Sequence, residues 1–132
     1  MVDVNEAAAA RRAKLTILLD ENVHQLKPGL KDAGFKVLTF DRGTPDEKLY
    51  ELAEGTIILT KNSKDFVTSA VIYDFDIISI EHIQFIDTKQ DRTNLTVEKI
   101  AAAIRQSQFY NQRGNFLLTV MDDGTYKLDP LV

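Results

Sequence analysis

Four short runs of apolar, largely β-branched residues recur along this chain: "LTILLD" from Leu15, "KVLTF" from Lys36, "TIILT" from Thr56 and "DIISI" from Asp76. Continuous apolar runs of this length suit strands covered on both faces, the pattern of a parallel sheet. Parallel neighbours cannot be joined by a tight turn, so each pair needs a crossover, usually a helix. The intervening sequence supplies two. "LKPGLKDAG" sets Leu26, Leu30 and Ala33 at helical spacing, with Pro28 in the first turn and Gly34 as a stop. In "TPDEKLYELAEG", Thr44 can cap, Pro45 fits the first helical position, Glu47 completes a capping box and Gly55 ends the element. The core face of that second helix is Leu49, Leu52 and Ala53.

From Leu95 to Phe109 the positions Val97, Ile100, Ala101 and Ile104 predict a final amphipathic helix, and the polar stretch "HIQFIDTKQDRTN" before it reads as a surface loop. In "FLLTVMDDGTYKL", Asp123 and Gly124 fall between two strand-like runs and predict a two-residue hairpin turn. Together these elements predict a three-layer, Rossmann-like α/β domain: a mostly parallel central sheet flanked by helices and closed by a C-terminal β-hairpin. The 132 residues suit one core rather than two. Residues 1–14 read as an extension or tether, without the charge order or apolar segment of a signal peptide, and residues 15–132 as the domain. No apolar run approaches the ~20 residues of a membrane span. The chain has no cysteine, which excludes disulfides and thiol catalysis and suits a reducing compartment or an exported domain alike.

Asp20 ends the first apolar run, directly before Glu21 and Asn22. In an open parallel sheet, ligands bind beyond the carboxyl ends of the strands, which is where such an acid would stand. Asn62 and Asp65 in "TKNSKDF" follow the third run in the same way, and Asp46 and Glu47 open the second helix. Right-handed crossovers would gather these segments at one edge. Plainer roles fit the same residues: acids cap helix N-termini, Asp20 could close a solvated turn, and lysines such as Lys61 and Lys64 are commonly solvated. His24 reads as an ordinary helix-start residue, because His82, the other histidine, stands far from metal-ligand spacing. The net charge of −4 argues against a protein that holds nucleic acid through a basic surface, but not against a nuclease whose acids gather around a cation.

"LLDENV", "GFKVLTFDRGTPDEKLYELAEG", "IILTKNSKDF" and "FLLTVMDDGTYKLDPL", in that order, resemble the bacterial PIN-like domain family DUF5615, and are similar to the Mut7-C RNase-like proteins. The resemblance implies a PIN-type fold, an acidic site for Mg²⁺ or Mn²⁺, and endoribonuclease activity as the toxic half of a toxin–antitoxin or toxin–immunity pair. It maps the catalytic and metal-binding acids onto Asp20, Asp46 and Asp65, with Glu47 as a further ligand. Asn22 and Asn62 would orient ligands or water from behind. Lys61, Lys64 and Arg42 are the candidate phosphate contacts, by position. RNA, transfer RNA included, is then the substrate, and an antitoxin or immunity protein the partner. The site of action is cytoplasmic, with delivery as the C-terminal domain of an exported toxin as a variant suggested by the tether. Many members resemble "T-x-D-x-D-F" where this chain has "TKNSKDF", so Asn62 stands near an acid's place. That departure keeps open a degenerate binding module that acts through a protein partner without catalysis.

Overall fold

In a computed structural model, which describes residues 15–40, 48, 56–84, 90–107, 109 and 115–131, all four apolar runs are strands. They are β1 (Thr16–Leu19), β2 (Lys36–Thr39), β3 (Ile57–Thr60) and β4 (Asp76–Ser79), followed by β5 (Phe116–Val120) and β6 (Tyr126–Pro130). One six-stranded sheet runs in the order β2-β1-β3-β4-β5-β6. Every neighbouring pair is parallel except β5 with β6. All four residues of β3 and of β4 are buried, as central strands require, whereas edge strand β2 buries only Val37. The protein is thus α/β with a mostly parallel sheet, and no helix of the described residues is long and apolar enough to cross a membrane.

Successive side chains of a strand point to opposite faces. Ile17 and Leu19 of β1 accordingly enter one apolar cluster, while Leu18 enters another. The first cluster joins the sheet to α1 (Lys27–Asp32) and α3 (Gln90–Ser107) through Leu30, Val97, Ile100 and Ile104. The second joins Leu18, Ile58 and Ile77 to α2 (Val67–Tyr73) through Ala70, with Phe75 beside it. The helix α1 stops as its sequence requires. Gly34 takes φ +101°, and the Phe35 amide donates back to the Leu30 carbonyl at 3.1 Å. Gly29 lets α1 approach α3 closely, since a Cβ there would lie 2.8 Å from Val97 Cγ2. At the amino end of β4, buried Asp76 accepts from the Phe116 amide at 2.9 Å and so ties β5 to its neighbour.

Two sequence expectations need correction, and one helix had no reading at all. The helix α2 is built on Val67, Thr68, Val71 and Ile72, β-branched residues that favour extended structure. The crossover from β3 to β4 overrides that preference. The last helix starts at Gln90 rather than Leu95. The polar stretch before Leu95 is therefore partly its first turns, and Thr93 is buried despite its hydroxyl. The hairpin forms, but its connection spans residues 121–125 rather than two, since Val120 pairs with Tyr126. Asp123 accepts from both the amide and the hydroxyl of Thr125, at 2.9 and 2.6 Å, and those bonds favour the wider turn. The expected helix of residues 44–55 lies outside the described residues, apart from Lys48, which is helical.

Candidate functional site at the carboxyl edge of the sheet

From β1 the chain passes to β2 on one side, then returns across β1 to β3 on the other. Connections that diverge in this way leave a crevice at the carboxyl ends of the two central strands. Asp20 stands at that point. Its backbone amide donates to the Leu59 carbonyl at 3.1 Å, which carries the pairing of β1 with β3 one residue beyond β1. Its side chain caps a 3₁₀ segment (Glu21–Leu26), with Oδ1 accepting from the Glu21 amide at 2.8 Å.

The other carboxylate oxygen, Oδ2, accepts from the hydroxyl of Thr60 at 2.8 Å. Thr60 is the last residue of β3 and is fully buried. The direction of that bond follows from its neighbour. Asn62 donates its amide to Thr60 Oγ1 at 2.9 Å, and an amide can only donate, so the Thr60 hydroxyl proton is left for Asp20. A carboxylate has roughly four acceptor positions, and the Thr60 and Glu21 bonds use one on each oxygen. Asp20 is therefore oriented with acceptor capacity left over.

After β3, a second 3₁₀ segment (Ser63–Asp65) holds the expected residues of "TKNSKDF". Asn62, Lys64 and Asp65 are exposed and Lys61 is half-buried. The Asp65 amide donates to the Asn62 carbonyl at 3.1 Å, closing the turn. Asp20 and Asp65 thus follow the carboxyl ends of neighbouring parallel strands, on the same edge of the sheet. Asn22 is exposed in the segment that Asp20 caps. Asp46, Glu47 and Arg42 lie outside the described residues. Among the described residues, no three acidic, histidine or cysteine side chains are grouped to hold a metal ion. His24 keeps Nε2 buried without a hydrogen-bond partner among the described residues, its ring edge-on to Phe40 at 6.4 Å between centroids.

Four residues at this edge escaped the sequence reading: Thr60, Ser63, Ser79 and Glu81. Oε1 of Glu81 accepts from Ser63 Oγ at 2.9 Å and from Ser79 Oγ at 3.1 Å. Glu81 follows "DIISI" much as Asp20 follows "LTILL", so an acid just beyond an apolar run was the available signal. The hydroxyl donors carry no such signal, because a threonine or serine near a strand end is unremarked until its acceptor is known. No family model matches the chain, and no curated protein and no solved structure matches it.

Proposed function

We propose that this protein is a PIN-like endoribonuclease of toxin type that uses Mg²⁺ or Mn²⁺, with its reaction at the carboxyl edge of β1 and β3. One observation carries the reading: Asp20 holds an oriented carboxylate where the strand order reverses, anchored by a buried hydroxyl. The family resemblance supplies the class of chemistry, and the apolar clusters on the two faces of the sheet suit the three-layer arrangement it implies. The donor chemistry fits in kind. Hard divalent cations take carboxylate oxygens, and Mg²⁺ in particular is held by one or two carboxylates with water and substrate phosphate completing its shell. Asp20 and Asp65 would hold it, with Asp46 and Glu47 as the further acids.

A cation bound there supplies polarisation of the phosphoryl group and activation of water. The remaining work falls to side chains of this chain. Thr60 keeps the Asp20 carboxylate from rotating, which fixes where its open acceptor positions point. Lys61, Lys64 and Arg42 meet the phosphates, and their local positive charge offsets a net charge of −4 that would otherwise repel RNA. Asn22 and Asn62 orient water. Hydrolysis in this manner leaves a 5′-phosphate and a 3′-hydroxyl.

A second reading is a degenerate binding module that acts on a protein partner. Asn62 favours it, as a neutral residue where many members of the resembled family place an acid. RNA cleavage by the purified chain with manganese separates the two. The nuclease reading expects cleavage that a chelator stops and that Asp20→Asn abolishes. The fold should survive at reduced stability: asparagine caps a helix about as well as aspartate, but its amide nitrogen replaces one acceptor oxygen and cannot take the Thr60 hydroxyl proton. Cleavage by Asp20→Asn at the wild-type rate would remove Asp20 from the reaction.

A further inference from the structure

Glu81 belongs to none of the roles assigned above, yet its carboxylate ties two elements together. Ser79 ends β4 and is fully buried, and Ser63 opens the second 3₁₀ segment with 6 % of its surface exposed. Their hydroxyls converge on one oxygen of Glu81, which is itself exposed. Buried hydroxyls need partners, and an ionised acceptor gives bonds roughly twice as strong as a neutral one. A carboxylate that grips one hydroxyl from the sheet and one from the following turn sets the position of that turn.

The same turn is gripped at its start. Its Asn62 amide donates to Thr60 Oγ1, and Thr60 in turn holds Asp20. Residues 61–65 are therefore gripped at two points, Thr60 with Asp20 on one side and Ser63 with Glu81 on the other. The bonds from the Asp65 amide to Asn62 and from the Phe66 amide to Ser63 are internal to the turn, so they shape it without placing it against the sheet.

We infer that Glu81 is a positioning residue: through Ser63 it sets where Lys61, Asn62 and Asp65 stand relative to Asp20. Its consequence for cleavage rests on the nuclease reading, whereas its hold on the turn does not. The substitution Glu81→Gln separates positioning from a direct role of the charge, because a glutamine carbonyl still accepts from both serines while the negative charge is gone.

The test joins two measurements on the full chain. One is amide hydrogen exchange at Asn62, Asp65 and Phe66 without added cation, with Leu59 in β3 as the internal control. The other is manganese-dependent RNA cleavage. Glu81→Ala and Ser63→Ala should each speed exchange at the three amides roughly tenfold while leaving Leu59 protected. Each should lower kcat/KM by a similar factor. Combining them should add little, since both cut one link. Glu81→Gln should restore most of both properties. Wild-type exchange in Glu81→Ala would overturn the inference. So would a Glu81→Gln protein with wild-type exchange but cleavage as poor as Glu81→Ala, for then the charge acts directly. A wild-type protein that cleaves no RNA would count against the nuclease reading alone, and the exchange result would still decide the role of Glu81.

Discussion

At the scale of single residues, the candidate site depends on Thr60. Its hydroxyl donates to Asp20 and accepts from Asn62, so Thr60→Val removes a donor from Asp20 and an acceptor from the Asn62 amide at once. Such a loss costs about 1–3 kcal/mol, more than the added methyl returns in a packed strand. We expect the urea midpoint to fall by that equivalent with an unchanged slope, and Thr60→Ser to recover most of it; a Thr60→Val protein as stable as wild type would show that the hydroxyl bonds are dispensable. Asp20 could be read from the sequence because an acid closing an apolar run is conspicuous. The hydroxyls of Thr60 and Ser63 could not, since each acts through an acceptor brought from another part of the chain, and Ser79 acts through Glu81, which was itself passed over. Asp123 gives a test at the same scale. Donation from the Thr125 hydroxyl, then from the Thr125 amide, holds the Asp123 carboxyl below its ordinary value of 3.8. A depressed value in the folded state means that its contribution is complete above that ordinary value and is lost as pH falls through the lowered one. An NMR titration should place the Asp123 midpoint below 3.8 in the wild type and move it upward in Thr125→Ala, in which the amide bond remains. A midpoint unmoved by Thr125→Ala would show that the hydroxyl does not hold the charge.

At the scale of elements, the strands were the most legible part, because β1, β3 and β4 are apolar on both faces. The helix α1 was legible through Leu26, Leu30 and the stop at Gly34, all of them local features. The helix α2 was hidden, since its β-branched residues argue for extended structure and Ala70 is its only fully buried side chain. It is helical because β3 and β4 lie parallel and the chain must return between them. The start of α3 was hidden by the polarity of its first turns. Packing of α1 on α3 offers the clearest test of these elements. Replacing Gly29 by alanine in a helix gains up to about 1 kcal/mol of propensity. The new Cβ, however, would stand 2.8 Å from Val97 Cγ2, and Val97 is itself buried in the core. Overpacking of this kind costs about 1–3 kcal/mol, so the clash outweighs the gain. Gly29→Ala should therefore lower stability, and Val97→Ala should cost less in the Gly29→Ala background than in the wild type. A stabilising Gly29→Ala would mean that Val97 moves aside freely.

At the scale of the whole molecule, the sheet order sets where function can reside. The strand order reverses between β1 and β3, and the carboxyl ends at that point carry Asp20, Thr60, the turn with Asp65 and, one strand further, Glu81. The general location was legible because crossovers of one hand bring strand ends together. Its composition was legible only in part: of the four acids expected, Asp20 and Asp65 fall at this edge and Asp46 and Glu47 lie outside the described residues, while Glu81, just beyond the run "DIISI", was not read as a site residue. The central claim is that Asp20 and Asp65, with Asp46 and Glu47, form a cation site that serves a reaction. Like-charged acids at one edge repel, and a cation that binds only the folded state stabilises it by mass action. At a manganese concentration about 100 times the dissociation constant the gain is about 2.7 kcal/mol, a shift of several degrees for a domain of this size. The most direct measurement is the melting temperature of wild type and Asp20→Asn titrated with manganese. We expect the wild-type Tm to climb by several degrees and the Asp20→Asn protein to lose most of that rise; identical responses in the two proteins, with RNA left intact by both, would contradict the nuclease and leave the binding module.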